Sequence, residues 1–179
     1  MPSPVRSAPA RCRHSPAGLG VVRADPAHLR RVFGAFPSGV TTLAAVVGGR
    51  PLGMAASSFT AVSLDPPLVS VCLAHSSTTW PKLRKVDRLG VSVLSAGQER
   101  AGRQLATPGV DRFAGLNWAA TAEGAVLLDG ASAWLECSVQ QQVKAGDHDI
   151  VVLYVHDLDA DVEMAPLVFH ASRFRRLAG

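Results

Sequence analysis

Two short runs of small and hydroxyl-bearing residues are the parts of this sequence best suited to bind a ligand. GMAASSF, residues 53–59, places small side chains and two hydroxyl groups inside an apolar, strand-like region. SSTT, residues 76–79, places four hydroxyl groups at a predicted helix start, and Lys82 and Arg84 follow closely. Small residues let a flat ring lie against main chain, whereas hydroxyl groups, backbone N–H groups and cations bind phosphate. The pattern indicates a planar phosphorylated ligand; the alternative is a β-bulge followed by an ordinary capped helix.

Other residue patterns that carry catalysis are missing from the sequence. There is no Gly-x-Ser-x-Gly elbow, P-loop, dinucleotide-binding glycine fingerprint or His-Glu-x-x-His. The six histidines are not spaced as metal ligands, so no metal site is predicted. No residue is therefore assigned with certainty to acid, base or nucleophilic chemistry.

The positive charge of the chain is concentrated near its beginning. Residues 1–31 hold six arginines and one aspartate, which leaves the remaining chain close to neutral despite the formal net charge of +4. A nucleic-acid partner is not predicted, because such a partner needs a basic folded surface. No apolar run reaches the roughly 18 residues of a membrane span. Residues 1–24, rich in Pro, Ala and Arg, are predicted to be a disordered leader without a secretory signal.

The three cysteines form no close pair and no metal spacing. An odd number of cysteines without an export signal predicts reduced thiols and a cytoplasmic location. We expect Cys72 and Cys137 to be small core residues.

Hydrophobic periodicity predicts many short strands and few helices. Asp25-Pro26 is a typical helix start and is followed by an apolar stripe up to Phe36. Further helices are predicted at 76–88 and 97–106, and residues 107–130 are predicted to be mostly loop. Strands are predicted at 40–47, from 53 onward, and at 68–74, 90–96, 133–143, 147–158 and 166–174. Short strands punctuated by Gly and Pro are typical of an antiparallel barrel, here a single domain over 25–179.

Five segments in order resemble the flavin reductase family, the NAD(P)H-dependent reductases that supply two-component monooxygenases. These segments are PSGVTTLAAV (37–46), GMAASSFTAVSLDPPLVSVCL (53–73), SSTTWPKLR (76–84), RFAGLNW (112–118) and AGDHDIVVLYV (145–155). The resemblance covers most of residues 25–177. It implies a mainly β (α+β) fold, an antiparallel split β-barrel of the FMN-binding type, that dimerises and binds FMN or FAD.

The resemblance also implies roles for individual residues. Ser38 and Val40 would border the flavin ring, and His148 would stand where the nicotinamide enters. The ring and ribityl chain would contact Met54, Ala55, Ala56, Ser57, Ser58 and Phe59. The phosphate would be held by Ser77, Thr78 and Thr79, with Lys82 or Arg84 nearby.

These features predict an NAD(P)H:flavin oxidoreductase that delivers reduced flavin to a partner monooxygenase. Hydride transfer between two cofactors needs alignment more than acid–base groups, which agrees with the missing catalytic patterns. The alternatives are a split-barrel oxidase of the pyridoxamine-phosphate-oxidase type and a non-catalytic flavin- or haem-binding barrel. The choice between FMN and FAD, and between NADH and NADPH, stays open.

Overall fold

The computed structural model of the protein describes residues 25–177, and three helices and twelve strands lie within that part of the chain. In chain order they are α1 (Pro26–Phe33), β1 (Ser38–Gly39), β2 (Thr41–Val47), β3 (Arg50–Ala56), β4 (Thr60–Leu64), β5 (Pro67–Ala74), α2 (Trp80–Leu83), β6 (Leu89–Val93), α3 (Glu99–Ala106), β7 (Trp118–Ala120), β8 (Val126–Leu128), β9 (Ala133–Ala145), β10 (His148–Ala160), β11 (Val168–His170) and β12 (Arg173–Arg175). None of these helices is long and apolar enough to cross a lipid bilayer. The predicted leader, 1–24, lies outside the described residues.

Seven of the strands form one antiparallel sheet in the order β3-β2-β6-β9-β10-β5-β4. Side chains from β2, β5, β6, β9 and β10 meet in one buried cluster, so the sheet curves around a common core. Its edge strands β3 and β4 do not pair with each other, which leaves the barrel split. Two small sheets, β1-β11-β12 and β7-β8, complete the fold. The architecture confirms the predicted mainly β, antiparallel split-barrel class with a few short helices.

Two hydrophobic clusters lie on opposite faces of this sheet. Leu43 and Ala44 are neighbours on β2 and both are fully buried, but they belong to different clusters because successive strand residues point to opposite faces. The first cluster fills the barrel. The second, which includes Leu94, Leu105 and Leu167, packs with α3. Helix α3 is thereby held against the outer face of β2 and β3.

The segment predicted as a helix over 76–88 contains only one helical turn, α2. Trp80 and Leu83 are its only buried residues. The charged residues that follow have little packing to extend the helix, and a short isolated helix is not stable without it.

Residues 107–130 are mostly loop, as predicted, but also contain the three-residue strands β7 and β8, which are too short to show a period in the sequence. Strand prediction was wrong at the end of the chain. Residues 166–174, predicted to be one strand, form the hairpin β11–β12. Strand β4, which was not predicted separately, is almost entirely exposed and so lacks an apolar pattern.

The two cysteines of the described region differ in environment. Cys137 is buried, and burial together with the negative charge of Glu136 raises the pKa of its thiol to about 12. Cys72 is exposed, contrary to the prediction, although it lies on β5, which has a partner strand on each side. The alternating burial along β5 gives the reason: Val71 and Leu73 point into the core, whereas Cys72 points to the opposite face, which is only partly covered.

The hairpin β11–β12 turns through two residues that hold an unfavourable backbone conformation. His170 pairs with Arg173, and the intervening Ala171 and Ser172 have φ of 50° and 60°. Positive φ at both central positions matches the right-handed twist of the strands but costs a residue with a Cβ atom roughly 1 kcal/mol. The Ala171 N–H donates to the Gly34 carbonyl oxygen at 2.8 Å, which ties this turn to the end of α1.

Replacing Ala171 with Asn and Ser172 with Gly is expected to raise the free energy of unfolding by about 1 kcal/mol, because Asn tolerates positive φ and Gly has no Cβ atom. Urea denaturation measures the change. The matched control is Gly49→Ala in the β2–β3 turn, where φ is +76° and nothing lies within 4 Å of the added Cβ. That control should lower stability by about the same amount; an unchanged double variant would contradict the prediction.

Candidate functional site

A shallow cleft, here called the small-residue cleft, lies between the start of β2, the end of β3, α3 and the β11–β12 hairpin. Its volume is about 140 Å³, and it is lined by Val40, Ala55, Ala56, Ser57, Gly102, Ala106, Phe169 and Phe174. Four of these residues were predicted from the sequence. None of the lining side chains is titratable, so the cleft offers shape and apolar contact rather than acid–base groups.

The floor of the small-residue cleft exists because small residues meet on two elements. Gly102 faces β3 from α3, and a Cβ added there would lie 3.3 Å from the Leu94 Cδ1 atom and 3.5 Å from the Phe174 ring. Ala106 follows one turn later on the same helix face. Because none of these residues carries a long side chain, the space above Ala55 stays open for a flat molecule.

One wall of the cleft is aromatic. The rings of Phe169 and Phe174 meet edge to face with their centroids 5.3 Å apart. The Arg103 guanidinium lies 4.8 Å from the Phe174 centroid and donates to the Glu99 carboxylate at 2.7 Å. This stacking holds the orientation of Phe174. The sequence did not indicate the wall, because its two rings come together only through the Ala171–Ser172 turn.

A second depression, here called the cationic cavity, adjoins the same edge of the sheet. Its volume is about 300 Å³, and it is lined by residues 51–53, Thr78, Thr79, Lys82 and residues 108–113. Gly53 of this cavity and Ala55 of the small-residue cleft are two residues apart on β3, a distance of about 7 Å. One elongated ligand can therefore reach both.

Two of the hydroxyl groups predicted to hold phosphate are already engaged by the protein. The Ser77 Oγ accepts hydrogen bonds from the backbone N–H groups of Thr79 and Trp80, at 3.3 and 3.1 Å. The Thr79 hydroxyl is buried and accepts a hydrogen bond from Arg112 Nη1 at 2.8 Å. Thr78 and Lys82 are exposed and line the cationic cavity, whereas Arg84 does not line it.

The other predicted binding residues lie outside both depressions. Met54 and Phe59 pack against the core of the barrel. The Ser58 hydroxyl donates to the Cys72 carbonyl oxygen at 3.0 Å and accepts from the Cys72 N–H at 2.8 Å, so it joins the β3–β4 connection to β5. Ser38 pairs with Phe169 in the small sheet and so adjoins the aromatic wall.

His148 lies at the turn between β9 and β10, within a group of two histidines and two aspartates. Its Nδ1 is 2.7 Å from the Asp147 Oδ1, and the His75 Nε2 is 2.9 Å from the Asp149 Oδ1. The hydrogen bond from His148, followed by its charge, lowers the pKa of Asp147. His148 lines neither the cleft nor the cavity, and its predicted role at the nicotinamide stays a prediction.

Comparison with known proteins gives a consistent picture. The model of the flavin reductase like domain family matches residues 33–178. A probable flavin reductase of Rhizobium meliloti is 43% identical over 129 residues, which are 72% of this chain and 42% of that protein, so the chain spans less than half of that relative. The reductase subunit of a flavin-dependent monooxygenase from Rhodococcus jostii is 33% identical over 160 residues, 88% of this chain and 82% of that subunit.

Among solved structures, a Streptomyces globisporus NADH:FAD oxidoreductase in complex with NAD and FAD fragments superposes with a TM-score of 0.81. It is 42% identical, and the match covers 86% of this chain and 93% of that one.

Proposed function

The chain belongs to the flavin reductase like family, and we propose from this premise that it transfers hydride from NADH or NADPH to FMN or FAD. Reduced flavin then serves a partner monooxygenase component. The protein is thus an oxidoreductase with flavin and nicotinamide nucleotides as its cofactors or substrates.

One observation carries this proposal: a cleft lined only by small, apolar and aromatic residues lies about 7 Å along β3 from a cavity with cationic side chains. A flat apolar ring joined to a phosphate by a short chain fits such a pair of depressions. A bound flavin supplies the redox chemistry through its own ring. The chain's residues have to bind and orient it.

The side chains support distinct parts of that task. The small residues at 55–57 and 102 let a ring approach main chain, and Phe174 confines it from one side. Thr78 and Lys82 supply a hydroxyl group and a positive charge at the phosphate end. The apolar lining excludes water from the ring, which favours direct hydride transfer over side reactions.

We further propose that two copies of the chain associate. Phe33 and Phe36, three residues apart at the end of α1, are 68% and 78% exposed, and large apolar side chains that lie close together on a surface are typical of protein interfaces. The small-residue cleft, at about 140 Å³, is also smaller than the 300 Å³ or more of most ligand sites. A second copy that covered the open side would complete it. A cytoplasmic location stays the prediction made from the cysteines.

The direct test is steady-state turnover with each of the four combinations of FMN or FAD with NADH or NADPH. We expect loss of nicotinamide absorbance in air with at least one combination. No oxidation with any combination would overturn the proposal. A tightly held flavin that oxidises a bound small molecule but does not react with nicotinamide nucleotides would favour the oxidase alternative. Flavin or haem that is bound without either reaction would favour the non-catalytic one.

His148→Ala is expected to slow hydride transfer by about 10- to 100-fold, because a nicotinamide displaced by about 1 Å reacts that much more slowly. Flavin affinity should stay unchanged. Stopped-flow reduction measures the first quantity, and quenching of flavin fluorescence measures the second. His75→Ala removes the other histidine of the same group, which follows β5 and contacts Asp149, and is the matched control. Equal losses of both quantities in His148→Ala would show that this residue is structural.

A further inference from the structure

Arg112 connects three separate parts of the chain at the wall of the cationic cavity. Its Nε donates to the Thr107 carbonyl oxygen at 2.8 Å, and its Nη1 donates to the Gly53 carbonyl oxygen at 3.0 Å. The same Nη1 reaches the Thr79 hydroxyl at 2.8 Å. The guanidinium group is therefore fixed between edge strand β3 and the turn that precedes α2.

The charge of this half-buried guanidinium is not balanced nearby. Within residues 25–177 Arg112 makes no ion pair, and its Nη2 group has no hydrogen-bond partner. Asp111 also lines the cavity, but its Oδ1 accepts the Phe113 N–H at 3.0 Å and it forms no ion pair with Arg112 or Lys82. Arginines removed from water are usually paired with an anion.

The composition of the cavity indicates which anion would fit. Two cations, Arg112 and Lys82, face one carboxylate, and Thr78 adds a hydroxyl group. The guanidinium is planar and keeps two N–H donors on Nη2, a geometry that suits the oxygen atoms of a phosphate.

We propose that Arg112 is the principal ligand of the phosphate group that FMN and FAD share, and that it makes this enzyme select phosphorylated flavins over riboflavin. This inference rests on the proposed function. It places Arg112, with Lys82 and Thr78, at the centre of the phosphate-binding set, ahead of Ser77, which does not line the cationic cavity, and of Thr79, which is buried against Arg112.

The experiment compares equilibrium binding of FMN and of riboflavin by fluorescence quenching. Wild type is expected to bind FMN at least about 10-fold more tightly than riboflavin, and Arg112→Ala should weaken FMN binding by about 10- to 100-fold, as for lost charge-assisted hydrogen bonds. Riboflavin affinity should change less than about twofold. Arg112→Lys keeps the charge but not the planar donors. Its FMN affinity should therefore lie between the affinities of wild type and Arg112→Ala.

Two further variants separate phosphate binding from a structural effect. The Gln104 side-chain nitrogen donates to the carbonyl oxygens of Asp111, Arg112 and Ala114 at 3.3, 3.2 and 2.8 Å, so Gln104→Ala loosens the same loop without removing charge. It should leave the ratio of FMN to riboflavin affinity unchanged. Arg100→Ala removes an equal charge outside the cationic cavity and should also preserve the ratio.

The proposal is overturned if Arg112→Ala and wild type have the same ratio of FMN to riboflavin affinity, or if neither flavin binds. If Arg112→Ala fails to fold, the test is competition by inorganic phosphate on the wild type. Phosphate should weaken FMN binding and leave riboflavin binding unchanged. The reverse result would contradict the proposal. Failure of the proposed function looks different, because nicotinamide oxidation would then be absent with every flavin, whatever the ratio of binding affinities.

Discussion

Gly90→Ala is expected to lower the free energy of unfolding by about 3 kcal/mol or more, because the added methyl group meets backbone that cannot move aside. Gly90 lies on β6, where β8 crosses the sheet. A Cβ at this position would be 2.1 Å from the Val126 carbonyl oxygen and 2.7 Å from its carbon. Both atoms belong to main chain, and Val126 is itself fully buried. Relief therefore requires β8 to separate from β6.

Urea denaturation followed by far-ultraviolet circular dichroism measures this loss. Gly97→Ala is the matched control, because Gly97 is exposed and nothing lies within 4 Å of the added Cβ. The control should change stability by less than about 0.5 kcal/mol. If Gly90→Ala were as stable as Gly97→Ala, the close approach of β8 to β6 would be wrong.

Ala106→Leu is expected to weaken flavin binding by about 100-fold or more, since the larger side chain fills a cleft of about 140 Å³. Ala106 is exposed at the last position of α3, and leucine is a good helix former, so the fold should persist. FMN and riboflavin should lose affinity equally, because the change acts on the ring and not on the phosphate.

Fluorescence titration measures both affinities, and circular dichroism confirms folding. The control is Ala122→Leu, an exposed alanine in the turn between β7 and β8, which should bind flavin as wild type does. Unchanged affinity in Ala106→Leu would place the flavin ring elsewhere on the molecule.

The long elements could be predicted from the sequence because local signals agree there. The strands predicted at 133–143 and 147–158 correspond to β9 and β10, which form one hairpin, and the small residues predicted to contact a ligand at 55–57 line the cleft. In both cases the deciding contacts lie between neighbours along one hairpin. The short strands β7 and β8 carry no such pattern: β8 packs on β6 and the core, and the exposed β7 pairs with β8.

The rest of the candidate site depends on contacts between distant segments. Arg112 reaches Gly53 and Thr79 across separations of 59 and 33 residues, and nothing in the residues around Arg112 indicates these partners. Phe169 and Phe174 come together through a turn formed by Ala171 and Ser172, which are not typical turn residues at positive φ. Of Arg112, Phe169 and Phe174, only Arg112 lies in a segment that resembles the family, so only this residue carried a sequence signal that could have pointed to the site.

The amide of Gln104 has one hydrogen-bond donor fewer than the carbonyl groups it serves. Its nitrogen carries two hydrogens, yet the oxygens of residues 111, 112 and 114 all lie within 3.3 Å of it. One oxygen therefore has to share a hydrogen with another or bond to water, and the three distances are accordingly unequal. A ligand that drew one of these carbonyl groups aside would leave the other two bonded to the amide. The segment beside the cationic cavity can adjust in this way while it stays attached to α3.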